Sequence, residues 1–426
     1  WQAVLGLQPF AFTLGMYLNN PSLLAFAEWI FTPSGMFVIG MVYLIVAIWQ
    51  LSLPMAVFAK IQRWLFVFAT IALVMFTVIL AVQPRSVFID RFNTLAYKLT
   101  GEPDYYHKVI ETAEALGYDP NPGFNWYDQI GLMCGVWSLL GWAFWSAQLS
   151  GEIKSAEKLK VEHFIMSGSG WSCAIAWLIN WYFFARAAGP DFIRCAYYLY
   201  GIGEWELPLW PYGGGVFIVA FDPAIGMTAC ILTFIMALGM CCNAYQVYYN
   251  TNIGPVRMFF AMAFDRGLPD IFARVHRRWY TPVFINMLVA VCGTIQLYMS
   301  AYMPKVAGGV FLPAALGSGC IPYLVTSLAG AMMPFTGRDI YMASPAAKYK
   351  VGPVPLITIT GLISVAFNAT MAYYWLTVPE LGITPASMVH VLGFYVAGLV
   401  WYVIWRAYRK SQGIDIDLAF KMLPPE

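Results

Sequence analysis

Ten stretches of this chain run for roughly 20 residues or more without a single Asp, Glu, Lys or Arg. They are 1–27, 29–59, 64–84, 129–151, 163–185, 223–256, 279–304, 306–337, 351–379 and 381–405. A helix needs about 20 apolar residues to cross the hydrocarbon core of a bilayer. A membrane β-barrel would instead show alternating segments of about 10 residues. The runs here are continuously apolar, so each predicts a transmembrane helix. The expected fold class is all-α integral membrane, with ten transmembrane helices.

Two polar segments interrupt this pattern at length. In 85–128, the stretch HKVIETAEAL predicts a short amphipathic helix that Gly117 ends, on a segment otherwise read as a solvated outer loop. The segment 186–222 contains PLWPYGGG, and its Trp and Tyr suit the interface between membrane and water.

Composition agrees with the pattern. Of 426 residues, 60% are hydrophobic, 17% aromatic and only 11% charged. Mean hydropathy is +0.64. A soluble globular chain carries about 25% charged residues, so a soluble enzyme and a disordered chain are both excluded. The formal net charge of +2 comes with no long basic run, which excludes a nucleic-acid binder. The eight cysteines do not read as a disulfide framework, since all but Cys195 fall inside apolar runs. His107, His163, His276 and His390 lie in different loops and runs, so no spaced Cys/His set for a metal is visible and no cofactor is expected.

Orientation follows from Lys and Arg. Loops between ten spans alternate sides. One set holds Arg85, Arg91, Lys98, Lys108, Arg186, Arg194 and Lys305; the other 17 of the 24 basic residues lie in the opposite loops and the C-terminal tail. The richer set is cytoplasmic by the positive-inside rule, which places the C-terminus in the cytoplasm and 85–128 outside. The expected location is the cell membrane, as a multi-pass protein.

Inside the runs the polar side chains are neutral: Gln148, Asn180, Asn243, Gln246, Asn286, Gln296 and Asn368. Each fits an interhelical hydrogen bond. Asn243, among the small residues of ALGMCCNAYQ, best suits the lining of a path. The run 129–151 carries Gly131, Gly135 and Gly141, with Ser138 between the last two. Such glycines serve either close helix packing or a local break. A break predicts an interrupted ladder between Gly135 and Trp142, with free N–H groups that would bind the charged end of a small zwitterion. The glycines of PAALGSGCIP at 313–322 are read as packing residues.

Several loops resemble a known family. RMFFAMAFDRGLPDIFARVHRRWYTP (257–282) resembles the segment after the eighth helix of the amino acid–polyamine–organocation (APC) superfamily permeases. GWAFWSAQLSGEIKSAEK (141–158) is similar to the end of their sixth helix, and RDIYMASPAAKYKVGPVPLITITG (338–361) to their link between helices ten and eleven. The resemblance implies helices three to twelve of an inverted five-helix-repeat (LeuT-like) transporter fold. On this alignment 129–151 is helix six, and the chain apparently lacks the family's first two helices. The implied organisation is 1–84 as the rest of the first repeat, 85–128 as an extracellular loop, 129–337 as the second repeat, 351–405 as two peripheral helices and 406–426 as a cytoplasmic tail.

The function implied is a secondary active transporter of amino acids or related amines, working by alternating access. Its substrate-binding residues would be Trp137, Ser138, Leu139, Leu140, Gly141 and Trp142, with Phe144 as an aromatic lid. The partners implied are the substrate, the lipid bilayer and a coupling ion, proton or sodium. The span 64–84 has no Lys of the kind that replaces sodium in some proton-coupled members, which disfavours that coupling. The alternative is a non-transporting membrane subunit or sensor on the same fold. A membrane-embedded enzyme ranks last, because no His, Asp, Glu or Cys constellation lies at membrane depth.

Overall fold

A computed structural model describes residues 2–140, 149, 153–156, 158–209, 211, 227–304, 306–307, 319–378 and 385–420 of the protein. The described chain is all-helical apart from one short hairpin. Among the described residues, six helices are long and apolar enough to cross a membrane: Pro33–Leu51, Met55–Val82, Ile231–Phe264, Val283–Tyr302, Leu356–Thr377 and Met388–Ser411. The protein is therefore a multi-pass membrane protein, and these six spans coincide with six of the ten charge-free runs.

Contact clustering divides the chain into two units. The first comprises Trp1–Gly123, Ile175–Ile253 and Val275–Tyr302. It opens with α1 (Gln2–Tyr17) and α2 (Pro21–Ile30). This corrects the reading of 1–27 as one span. Asn20 ends the run of helix because its side chain accepts hydrogen bonds from Ser22 N at 3.0 Å and Leu23 N at 3.2 Å, and Pro21 follows at the first helical position. Asn and Pro are uncharged, so a count of charges passes over the break.

Thr32 and Pro33 start α3 (Pro33–Leu51) in the same way, the Thr32 hydroxyl accepting from Gly35 N at 3.1 Å. Pro54 precedes α4 (Met55–Val82), whose 28 residues carry Lys60 and Arg63 on the helix itself rather than in a loop. The first unit also holds the 227–253 part of α10 (Met227–Phe264) and α11 (Val283–Tyr302). Small residues set the spacing of these spans. A Cβ at Gly239 of α10 would overlap the Ala72 methyl of α4, and one at Gly40 of α3 would overlap Leu297 of α11.

Three helices outside the apolar runs form a cap on this unit: α5 (Arg85–Thr100), α6 (Tyr105–Ala115) and α9 (Pro190–Ile202). The expected amphipathic helix is α6, and Gly117, with φ +85°, follows its end. α5 and α9 were not expected in the polar segments. Phe88, Phe92, Phe192, Ile193 and Cys195 of the cap are all buried to within 1%. Phe192 stacks on Tyr106 at 4.5 Å and meets Phe92 edge-on at 5.0 Å.

The second unit comprises Phe124–Ala174, Gly254–Arg274 and Met303–Glu426. It contains α7 (Trp126–Leu140), the first half of α8 (Leu159–Ala188), the end of α10, α12 (Ile321–Thr336), α13 (Arg338–Ala343), α14 (Leu356–Thr377) and α15 (Pro385–Ser411). α12 and α14 are joined through the hairpin of β1 (Lys350–Val351) and β2 (Val354–Pro355), with Gly352 at φ +60° in its turn. They pack closely: the Ser327 and Ser364 hydroxyls lie 2.7 Å apart, and the Thr358 hydroxyl donates to Ala331 O at 3.0 Å.

α8 covers the expected span 163–185 but is not among the six, because Trp, Tyr and Ser replace much of the aliphatic content. The expected spans 129–151 and 306–337 are described only in part, as 129–140 with 149 and as 306–307 with 319–337.

Candidate functional site

Trp137 is the one residue of the expected substrate site whose side chain is described. It lies on α7 in the second unit. Its indole meets Tyr323 of α12 edge-on, with ring centroids 5.8 Å apart, and covers Gly319, where a Cβ would collide with the ring. Gly319 is thus the packing residue that the 313–322 cluster was read to contain: only its missing side chain admits the indole. Ser138, Leu139 and Leu140 complete the helix, and Gly141, Trp142 and Phe144 lie outside the described residues.

α7 is helical from Trp126 through Leu140, so the expected interruption does not begin between Gly135 and Leu140. The remainder of that expectation, at Gly141 and Trp142, falls outside the described residues. A Cβ at Gly131 or Gly135 would meet no described atom within 4 Å. Behind Trp137, Cys134 and Cys320 are fully buried with Met371 and Trp375 of α14. The Cys134 thiol points at Met371, 3.7 Å from its carbonyl oxygen and 3.8 Å from its Sδ.

A second candidate lies in the first unit, and sequence reasoning largely missed it. α10 presents Tyr245, Tyr248 and Tyr249 toward α3 and α4. The spacing of three and four residues keeps them on one side of the helix. Tyr43 of α3 meets Tyr245 at 5.7 Å and Tyr248 at 6.5 Å, both edge-on, and Tyr249 packs on Phe58 of α4 at 4.8 Å.

Gln50 follows Tyr43 by seven residues on α3 and is 1% exposed. The Tyr245 hydroxyl donates to Gln50 Oε1 at 2.6 Å, while Gln50 Nε2 has no partner among the described residues. Gln246 Nε2 donates to Gln62 O at 3.3 Å. Asn286 of α11, also 1% exposed, donates to the Ser52 hydroxyl at 3.2 Å, and its Oδ1 is unpartnered among the described residues. A buried donor or acceptor left unpaired costs about 1–3 kcal/mol, so these amides are poised to take a partner.

The other neutral polar residues resolve individually. The Thr77 hydroxyl donates to Asn180 Oδ1 at 2.7 Å across α4 and α8, and Asn368 Nδ2 donates within α14 to Ser364 O at 2.9 Å, with its Oδ1 unpartnered among the described residues. Asn243 is exposed. Gln50 is a neutral residue inside the run 29–59 and does not interrupt a count of charges; its spacing from Tyr43 was the available signal.

Electrostatics outside the spans are mild. The His107 ring, 2.8 Å from Asp104 Oδ2, holds the Asp104 carboxyl below its ordinary value, and Asn93 adds a bond at 2.9 Å. Burial pushes the Cys195 thiol up to about 11. Both lie in the cap. Among the described residues, no group of three or more His, Cys, Asp or Glu could hold a metal ion. Comparison with protein-family models, with curated proteins and with solved structures returns no match.

Proposed function

We propose that the protein is a secondary active transporter of amino acids or related amines, a permease of the APC superfamily that works by alternating access in the cell membrane with its C-terminus cytoplasmic. The observation that carries this reading is Gln50: an amide 1% exposed in a membrane-spanning helix, with Nε2 unpartnered among the described residues and three tyrosine rings on the facing helix. A free amide donor suits a carboxylate, and tyrosine faces suit an ammonium group. A zwitterion presents both. The resemblance of 257–282 and 338–361 to permease loops supports the same reading, and so does the asymmetry of Lys and Arg between alternate loops.

Helix six keeps its place in the proposal. Trp137, Ser138, Leu139, Leu140, Gly141, Trp142 and Phe144 would line the substrate path.

The test is uptake of a labelled panel of amino acids and amines by the full-length protein in proteoliposomes, with proton and sodium gradients imposed separately. Gln50→Leu replaces the amide with an apolar group. It should lower uptake at least about tenfold while reconstitution is unchanged. Gly141→Leu should do the same at helix six. Uptake of the whole panel at the level of empty liposomes would overturn the proposal in favour of a non-transporting subunit.

A further inference from the structure

The last membrane helix is fastened to the loop that leaves α10, and it does so through donors spaced by four residues. The backbone just beyond the C-terminus of α10 turns sharply at Arg266, with φ +61°, and Gly267 N returns to Met262 O at 2.8 Å. This leaves three consecutive carbonyls, those of Arg266, Gly267 and Leu268, pointing away from the helix that precedes them.

Three side chains of α15 answer them. Trp405 Nε1 donates to Arg266 O at 2.9 Å, Trp401 Nε1 to Gly267 O at 3.3 Å, and Arg409 Nη2 to Leu268 O at 3.3 Å. The same Arg409 Nη2 donates to Asp270 Oδ1 at 2.5 Å. Residues 401, 405 and 409 fall on one helix face. The Trp401 and Trp405 rings stack at 5.3 Å, and the Arg409 guanidinium lies 4.9 Å over the Trp405 ring.

Arg409 is the unusual member. Its side chain is 7% exposed, whereas that of Asp270 is 75% exposed. A buried guanidinium is kept only where its hydrogen bonds and charge are answered. Here the Asp270 carboxylate and the Leu268 carbonyl answer Nη2 and Gln412 Oε1 accepts from Nη1 at 3.4 Å, while Nε has no partner among the described residues. The two indole donors read backbone carbonyls, and the guanidinium reads one backbone carbonyl and the Asp270 carboxylate, so the contact fixes the path of the loop.

We propose that Trp401, Trp405 and Arg409 form a clasp on the exit of α10, with Arg409 as the positioning residue that holds loop 265–274 docked. Resting on the transport reading, the clasp keeps the cytoplasmic end of α10 in register while the bundle changes conformation. It acts on turnover and not on substrate affinity.

The experiment uses the full-length protein reconstituted in liposomes. Amide hydrogen exchange is followed across 265–274, with 321–336 as an internal reference, and uptake is measured in parallel. Arg409→Ala should raise exchange in 265–274 at least about tenfold, leave 321–336 unchanged, and lower kcat with little effect on KM. Arg409→Lys keeps the charge but not the forked donors, so it should recover part of both. Trp405→Phe removes one donor and keeps the packing. It should give a smaller rise, and it keeps the test available if Arg409→Ala fails to fold. Unchanged exchange in both Arg409→Ala and Trp405→Phe would overturn the clasp. Faster exchange with unchanged kcat would overturn the positioning role. If the unaltered protein takes up nothing, the transport reading fails, while exchange alone still decides whether the clasp exists.

Discussion

The cap and the spanning helices of the first unit use the same side chains in opposite ways. In the cap, α5, α6 and α9 turn their aromatic faces inward: Phe88, Phe92 and Phe192 are sealed from solvent, and charged residues such as Asp90, Arg91 and Lys108 lie on the outer faces. In α4 only Ala72 and Leu80 are buried, whereas Trp64, Phe66, Phe68 and Val82 point outward. Water on one side forces the first arrangement. Hydrocarbon on the other side removes the penalty for the second, so small and polar residues become the packing surface. The meeting of Gly239 with Ala72, and the hydrogen bond from Thr77 to Asn180, are what a span has in place of a phenylalanine core.

The largest expected effect tests this contrast directly. Phe192→Ala in the cap removes a ring that touches Tyr106, Phe92 and Phe88, and should cost about 3–5 kcal/mol. Phe66→Ala, on a residue 61% exposed in α4, should cost less than about 0.5 kcal/mol in a bilayer-like environment. Thermal unfolding of the two variants in lipid nanodiscs measures the difference. Equal losses would mean that the outward face of α4 is covered by protein.

A smaller effect separates the polar interior from both regions. Tyr245→Phe removes the hydroxyl that Gln50 Oε1 accepts from and leaves the whole amide without a partner from that tyrosine. The expected cost is about 1–3 kcal/mol. Gln50→Leu together with Tyr245→Phe should recover part of it, because no buried polar group is then stranded. A double variant weaker than Tyr245→Phe alone would show that the amide is satisfied elsewhere.

Much of the span architecture was legible because lipid demands long uncharged helices, and charge-free runs report those directly. What stayed hidden was hidden by the same rule. Asn20 and Pro21 break the first run without carrying charge. Gln50 lies inside the run 29–59, where a neutral polar residue leaves a count of charges unchanged. The cap helices do show their period, with Phe88, Phe92, Leu95 and Ala96 on one face of α5, and Phe192, Ala196 and Leu199 on one face of α9. Among far more apolar neighbours, such segments read as loops. Cys195, expected alone in an outer loop, is instead packed in the cap interior as a small apolar side chain. At the candidate site, the sequence pointed to Trp137 through a family resemblance. The need for Gly319 beneath its ring is a matter of tertiary contact, and no local pattern carries it.

The smallest effect is electrostatic and belongs to the cap, the one region of the comparison that meets water. The Asp104 carboxyl is held below its ordinary value, first by the hydrogen bond to His107 and then by the bond from Asn93. A carboxyl whose value is lower in the folded state stabilises the fold above its unfolded value, near 3.9. That contribution is lost as pH falls through the lower folded value. Asp104 and His107 are each more than half exposed, so water screens the pair and the contribution is small. The geometry nonetheless ties two elements, because Asn93 sits on α5 and His107 on α6, and Asn93 Oδ1 also accepts from Tyr106 N at 2.8 Å. Asp104→Asn keeps the shape and removes the charge. Above the unfolded value it should lower the melting temperature slightly; below the lowered folded value the variant and the unaltered protein should melt together. A difference that persists at low pH would assign the effect to the hydrogen bond with Asn93 and not to the charge. The same substitution made on the outward face of a span has no counterpart, since no carboxylate is available there to titrate, and the pH response of the whole protein between 3 and 5 should therefore come from the cap and the loops.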